Sequence, residues 1–243
     1  MPPGTAGMDA GATMRFRRLH GWNLPLSKAR RLQERLAARV VERGPPGFSP
    51  KLVAGADLSH RRGSKWLYGA VVVLRVPGFE VVEIARARMR ARFPYVPGFL
   101  SFREGPVLLA CFRRLRTRPD AVLFDAQGRA HPRRFGLASH LGLWLGCPAV
   151  GCAKSILCGS HRELGARRGA RAVLMERGER IGTVLKTRAG SKPIYVSVGH
   201  RLSLAQAAKL VLKCSDGRYR LPEPTRLAHI EVNAFRRFSE GPG

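Results

Sequence analysis

The chain alternates short apolar runs with longer amphipathic ones, and that alternation predicts its elements. Leu32, Leu36 and Val40 recur at helical spacing within LSKARRLQERLAARVVER, so a helix is expected over Pro25–Arg43, capped by Ser27 and ended by GPPGFSP. A short apolar strand over Lys51–Asp57 (KLVAGAD) stops on an acid, and the basic run HRRGSK follows as a turn. The strongest strand signal is the continuous β-branched run of Leu67–Val76, which Pro77-Gly78 turns into Glu80–Ala87 as a hairpin. Gly105–Arg116 reads as a helix with Val107, Leu108, Cys111, Phe112 and Leu115 on one side. Ala121–Asp125 reads as a buried strand, Arg134–Leu145 as a helix, and Ala149–Ala153 as another strand. After a Gly/Arg loop at 159–170, Ala172–Met175, Ile181–Thr187 and Pro193–Ser197 suggest a smaller antiparallel section. Ser203 caps a helix running to Lys213, and Pro222–Arg237 forms the last one.

Strand, hairpin, helix, strand, helix, strand is the order of an α/β fold whose sheet has mixed direction and helices on its faces. With no internal repeat and no clear linker, one folded domain is expected over residues 16–238. The Gly-, Pro- and Ala-rich residues 1–15 read as a disordered leader, and 239–243 as a flexible tail.

Composition changes this picture in one respect. Lys and Arg number 44 against 16 Asp and Glu in 243 residues, a formal net charge of +28. Such charge points to a polyanionic partner, with nucleic acid first. No amphipathic basic helix with a broad apolar face and no run of membrane-spanning length is present, so a membrane partner is not expected. Five cysteines, odd in number and without a CxxC pair, indicate neither a disulfide framework nor a zinc site. With no signal-peptide core at the N-terminus, the expected location is the cytoplasm and the expected state a monomer.

In so basic a chain, the carboxylates that close apolar runs stand out. Asp57 and Asp125 each follow four or five apolar residues, and Glu104 precedes a helix that would pack beneath them. Acids at the ends of adjacent strands point into the crevice where α/β folds bind ligands, and three of them could hold Mg²⁺. Spacing alone leaves a second reading open, in which Asp57 caps a turn and the helix macrodipole favours Glu104. Phe93-Pro94-Tyr95-Val96-Pro97-Gly98 holds an aromatic between two prolines, stiff enough to push Tyr95 into a base stack or simply to pack as a core turn. Gln127–Arg134 carries Gly128, His131 and three arginines beside Asp125, a turn that could cradle a phosphate or a base edge. His140, among apolar neighbours, reads as structural, and His200 as a loop stabiliser. Lys154, directly after a buried strand, suits a clamp for phosphate charge. His229 could orient water near a metal.

Taken in order, VAGADLSH, FPYVPGFLSFREGP, LFDAQGRAHPRRFGLASHLG, VGCAKS, PIYVSVGH and RLPEPTRLAH resemble the endonuclease V family from about Leu19 to Ile230. The resemblance implies an RNase H-like fold, with a central mixed five-stranded sheet flanked by helices. It implies hydrolysis of the second phosphodiester bond 3′ to a deaminated purine, chiefly hypoxanthine. Mg²⁺ would be the cofactor, replaceable by Mn²⁺, and the ends 3′-hydroxyl and 5′-phosphate. Inosine-containing DNA is the implied substrate and repair the implied purpose; the animal branch prefers inosine in RNA. By motif, Asp57, Glu104 and Asp125 match the metal-binding acids, His229 the histidine near the second metal, and Lys154 the lysine near the scissile phosphate. Tyr95, between Pro94 and Pro97, falls in the wedge that fills the gap left by a flipped base; Gly98, Leu100, Gly128 and His131 match the pocket for that base. Extruding a base costs a few kcal/mol and least for a poorly paired one, which favours inosine.

Several positions depart from the family pattern. Ala126 stands where glycine is usual and adds a methyl group beside the base pocket; Val198, Cys152 and the basic loop at Arg167 and Arg168 also differ. Three other readings compete: an inosine-specific endoribonuclease, a protein that binds inosine without cutting, and a glycosylase working through Lys154 that would tolerate EDTA.

Overall fold

The computed structural model describes residue 16 and residues 18–241. The expected leader at 1–15 lies outside the described residues. The elements in order are α1 (Leu26–Ala37), β1 (Leu52–Ser59), β2 (Trp66–Arg75), β3 (Val81–Arg90), α2 (Leu100–Arg114), β4 (Ala121–Phe124), α3 (Leu137–Leu145), β5 (Ala149–Ala153), β6 (Arg171–Glu176), β7 (Glu179–Leu185), β8 (Ile194–His200), α4 (Leu204–Lys213) and α5 (Glu223–Glu240).

All eight strands form one sheet, ordered β3-β2-β1-β4-β5-β8-β7-β6. Its first five strands are the mixed sheet expected from the sequence. β1, β4 and β5 run parallel, and β2 and β3 join as an antiparallel hairpin. The antiparallel section read as separate continues the same sheet, because β8 pairs with β5. β8 is buried along almost its whole length, which only a strand covered on both faces can be. The continuous apolar run of β2 is buried from Leu67 to Leu74 for the same reason. β3 is an edge strand, and its alternation leaves Arg86, Arg88 and Arg90 exposed.

Helix boundaries differ from expectation for identifiable reasons. α1 begins after Pro25 with no side-chain cap, so Ser27 lies inside it, and it ends at Ala37 rather than Arg43. α2 begins at Leu100, which carries Glu104 into its second turn. α5 runs through Ser239 to Glu240. The expected cap at Ser203 is present as a reciprocal box with Gln206, which satisfies two backbone N–H groups at once.

One face of the sheet packs against α2 and α3 through Val71, Phe112, Phe124 and Leu141. On the other face α4 covers Leu123, Val150 and Val196, while α5 covers Tyr68, Ala70 and Val72. α5 lies directly on β1 at Gly55, where a Cβ would sit 1.9 Å from the Pro224 carbonyl oxygen. Only glycine permits that approach, and the approach sets where the next turn of α5 places His229.

Candidate active site

Register brings the acids together. Ala56 pairs with Phe124 across parallel β1 and β4, so Asp57 and Asp125 are neighbours pointing to the same face. Lys154 follows the end of β5, three residues beyond Gly151, the partner of Phe124, and projects to that face too. The site sits outside the carboxyl ends of three parallel strands, where open α/β sheets place ligands.

Nδ1 of His229, on α5, lies 2.7 Å from Oδ2 of Asp57. That hydrogen bond is the main reason the imidazole pKa is raised. Asn233, one turn on, donates to the His229 carbonyl at 2.8 Å and lies 3.3 Å from its Nε2. The Ser59 hydroxyl donates to Asn233 Oδ1 at 2.8 Å and accepts from Arg236 at 2.9 Å. The ring is thus held at both nitrogens. Asp125 faces the ammonium of Lys154. Burial, then the nearby Asp57 charge, raise the Asp125 pKa, while Lys154 and His229 oppose the rise.

Asp57, Asp125 and His229 each offer a ligand atom within 4.8 Å of the others, a cluster found among the described residues. Two carboxylates suit a hard dication, and an imidazole is compatible with several divalent ions. Asp125 Oδ2 is buried and faces the Lys154 ammonium, so its negative charge already draws a cation into the site. The residues present therefore fit a divalent metal. Glu104 lies outside that triad. It lines the same cavity, and burial followed by the Asp57 charge pushes its carboxyl up to about 7.

The cavity has a volume of about 460 Å³. Tyr95, Pro97, Gly98, Leu100 and His131 line it together with Asp57, Glu104, Asp125 and Lys154. Pro94, Gly128 and His229 are not on its wall. A Cβ on Gly128 would lie 2.3 Å from the Val198 carbonyl oxygen, so that glycine packs under β8 and supports the loop from behind. The stiff aromatic turn divides its labour: Phe93 and Phe99 pack with Phe102 in the α1 core, while Tyr95 is 62% exposed at the cavity rim. Ala126 stands in the wall beside Gln127.

The turn after Asp125 does not cradle phosphate with its arginines. Arg129 is paired with Glu42 and Glu179, and Arg134 with Glu176 and Glu179, so both charges are already matched. Arg133 Nη2 donates to the Gly98 carbonyl at 2.6 Å, and its guanidinium lies 4.2 Å from the Phe99 ring centre. His131 spends both nitrogens locally. Nε2–H reaches the Gly98 carbonyl at 3.1 Å, and Nδ1 accepts from the Arg133 backbone at 3.2 Å. Burial, helped by Arg133, lowers its pKa to about 4, so it presents a neutral ring to the cavity.

Sequence reading missed Gln33. This residue of α1 is 1% exposed, and its amide donates to the Gly98 carbonyl at 3.0 Å while its oxygen accepts from Arg133 at 2.7 Å. A polar residue on the apolar stripe of Ala29, Leu32 and Leu36 was the available signal. His140 is structural, as expected. It lies within hydrogen-bond distance of Ser101 and His20, at 2.9 and 2.6 Å. His200 accepts from the Val41 backbone at 3.2 Å and ties down the segment after α1.

The sequence profile of the family described as Endonuclease V matches residues 34–230. Endonuclease V of Myxococcus xanthus is 50% identical over 216 residues, covering 89% of this chain and 92% of that one. The crystal structure of Endonuclease V from Streptomyces avermitilis superposes with a TM-score of 0.85 at 38% identity, over 95% of this chain and 100% of that one. A variant of the Ciona intestinalis Endonuclease V, in complex with a 23mer DNA containing an inosine followed by a ribo-adenosine, gives 0.74 at 27% identity, over 86% and 96%. No described helix is long and apolar enough to cross a membrane.

Proposed function

The chain belongs to the endonuclease V family of phosphodiester hydrolases, and from that premise we propose that it nicks inosine-containing DNA at the second phosphodiester bond 3′ to the deaminated base. The products carry 3′-hydroxyl and 5′-phosphate ends, and the break initiates repair. The observation that carries this reading is the cluster of Asp57, Asp125 and His229, whose two carboxylates line a cavity of about 460 Å³ rimmed by an exposed tyrosine. A relative with the same fold was captured on DNA containing inosine.

Asp57 and Asp125 would hold the metal, Mg²⁺ with Mn²⁺ as substitute, and Glu104 would complete its surroundings from α2. When bound it aligns the phosphodiester, lowers the pKa of a water and offsets charge on the leaving oxygen. The chain's own residues do the rest. Asp57 fixes the His229 ring through Nδ1–H, leaving Nε2 to accept a hydrogen bond. Lys154, half-exposed beside Asp125, can offer its ammonium to the scissile phosphate. Tyr95, held by prolines on both sides, occupies the gap in the stack. The extruded base enters the space between Gly98, Leu100 and His131, where walls rather than charges enclose it.

Matched single- and double-stranded DNA and RNA oligonucleotides, each with one inosine, test the reading when incubated with Mg²⁺, Mn²⁺ or EDTA. Cleavage of the DNA one nucleotide beyond the inosine, lost in EDTA and in Asp125→Ala, is expected. Cutting confined to RNA, binding without cutting, or release of free hypoxanthine in EDTA would each overturn it.

A further inference from the structure

Outside the cavity, one strongly charged surface has no carboxylate partners among the described residues. At the site end of the sheet, the turn between β1 and β2 carries Arg61, Arg62 and Lys65, and β3 ends with Arg88, Arg90 and then Arg92. All six are exposed. Among the described residues, none of them makes an ion pair with a carboxylate, whereas Arg86, one row back, is matched by Glu231. The sequence holds no Asp or Glu between Asp57 and Glu80, nor between Glu83 and Glu104.

Register makes these residues one surface. Tyr68 pairs with Arg88 and Trp66 with Arg90, so Trp66, Arg88 and Arg90 share a face of the ribbon. Arg88 lies over the indole of Trp66 at 5.1 Å, and that indole is 39% exposed. Alternate residues of a strand stand about 6.6 Å apart, which sets Arg88 and Arg90 as a regular row of cations. The Ala91 N–H donates to the Lys65 carbonyl at 2.7 Å and closes the end of the ribbon. The surface is continuous with the site on both sides. His60, preceding Arg61, lines the cavity, and Arg92 leads within three residues to Tyr95.

We propose that this end of the β2–β3 ribbon is a second nucleic-acid contact, which grips the phosphate backbone of the strand leaving the cavity past Tyr95. The inference rests on the nuclease reading and deepens it. A cationic row with no internal partners costs folding free energy through self-repulsion and recovers it when phosphates displace counterions. The contact is sequence-neutral, because guanidiniums on an exposed ribbon meet backbone and not base edges. It fixes the position of the substrate, while the cavity reads the base.

Salt-dependent binding to an inosine-free duplex tests this without relying on cleavage. In the combined variant Arg61→Gln, Arg62→Gln, Arg88→Gln and Arg90→Gln, the slope of log K against log salt is expected to shrink by about 0.9 for each phosphate that the ribbon no longer neutralises. Arg177→Gln with Arg180→Gln, exposed at the far β6–β7 turn, is expected to leave the slope unchanged. On inosine DNA the combined variant raises KM for long substrates and leaves kcat and the KM of a short oligonucleotide in place. An unchanged slope, or an equal loss per charge from the β6–β7 control, overturns the proposal. A wild-type protein that shows the ribbon-dependent slope but never cuts inosine DNA sinks the nuclease reading alone.

Discussion

Nδ1 of His229 lies 2.7 Å from Oδ2 of Asp57, joining residues 172 positions apart through the close seat of α5 on Gly55. A partner that orients a metal-binding carboxylate changes metal affinity or rate by roughly 10- to 100-fold when removed. His229→Ala is expected to lower kcat and raise the half-saturating Mg²⁺ by about that factor. Asn233→Ala, which only loosens the ring, is expected to give a smaller loss of the same kind. A Mg²⁺ titration of kcat that is superimposable for wild type and His229→Ala would remove His229 from the site.

If Asp125 holds the metal as proposed, metal binding and stability are linked through it. Its carboxylate is crowded by burial and by Asp57, so a cation that binds only the folded state stabilises that state. At about 100 times Kd the gain is about 2.7 kcal/mol. Wild type is expected to melt at a higher temperature with saturating Mg²⁺ or Mn²⁺ than in EDTA, and Asp125→Asn to show no such gain. A metal-induced rise that persists in Asp125→Asn would place the ion elsewhere.

Glu104 sets a pH dependence of stability in EDTA. Its folded carboxyl keeps the proton up to about 7, against an ordinary value of 4.5, so between those values the folded chain binds the extra proton. Stability from this group is therefore present at low pH and lost as pH rises toward 7. At about 1.4 kcal/mol per unit, the loss is on the order of 3 kcal/mol. His131 runs the opposite way, since its lowered pKa of about 4 makes the protein lose stability as pH falls below 6.5. The difference between Glu104→Gln and wild type isolates the acid. It should favour the variant increasingly from pH 4.5 to 7 in urea melts. A pH-independent difference would contradict the buried, metal-free acid.

What the sequence made legible follows from the range of each interaction. Strands β3, β2, β1, β4 and β5, and the position of Asp57, Asp125 and Lys154 at strand ends, were readable because apolar runs ending on a charged residue are local signals. The join of β8 to β5 was not, because a strand's pairing partner is chosen by tertiary burial. The same limit left it to the structure to group Asp57 and Asp125 with His229 and to set Glu104 outside that cluster. Helical periodicity gave α2 but started it late, at Gly105, so Glu104 looked like an N-terminal acid although α2 begins at Leu100. The aromatic turn showed its stiffness in its prolines, yet only packing reveals that Phe93 is buried and Tyr95 is not. The arginines of the Gln127–Arg134 turn looked available because their carboxylate partners, Glu42, Glu176 and Glu179, are distant in sequence.

The Gly98 carbonyl receives Gln33, His131 and Arg133 together, which ties the aromatic turn, α1 and the Gln127–Arg134 turn at one atom. Gln33→Ala leaves buried partners short of a hydrogen bond and is expected to cost about 1–3 kcal/mol of stability. It also frees the cavity wall, so KM for inosine DNA should rise more than kcat falls. Gly98→Ala is expected to be worse, because φ is +78° there and a Cβ would lie 2.7 Å from Arg133 Nη2. Retention of wild-type KM by Gln33→Ala, with the expected drop in stability, would confine this knot to folding.

Ala126 lines the cavity that the proposed reading assigns to the extruded base. It stands in the wall next to Asp125 and Gln127, just after the end of β4, and also packs against the core. One methyl group in an apolar pocket changes discrimination by roughly 10- to 200-fold. Ala126→Gly opens that volume without touching the acids, so kcat on inosine DNA should hold. Xanthine, the deamination product of guanine, carries one more exocyclic carbonyl oxygen than hypoxanthine and needs the added room. The ratio of kcat/KM for xanthosine- over inosine-containing DNA is therefore expected to rise by at least about tenfold in the variant. Competition between the two substrates in one tube measures that ratio directly, and an unchanged ratio would mean that the base does not approach residue 126.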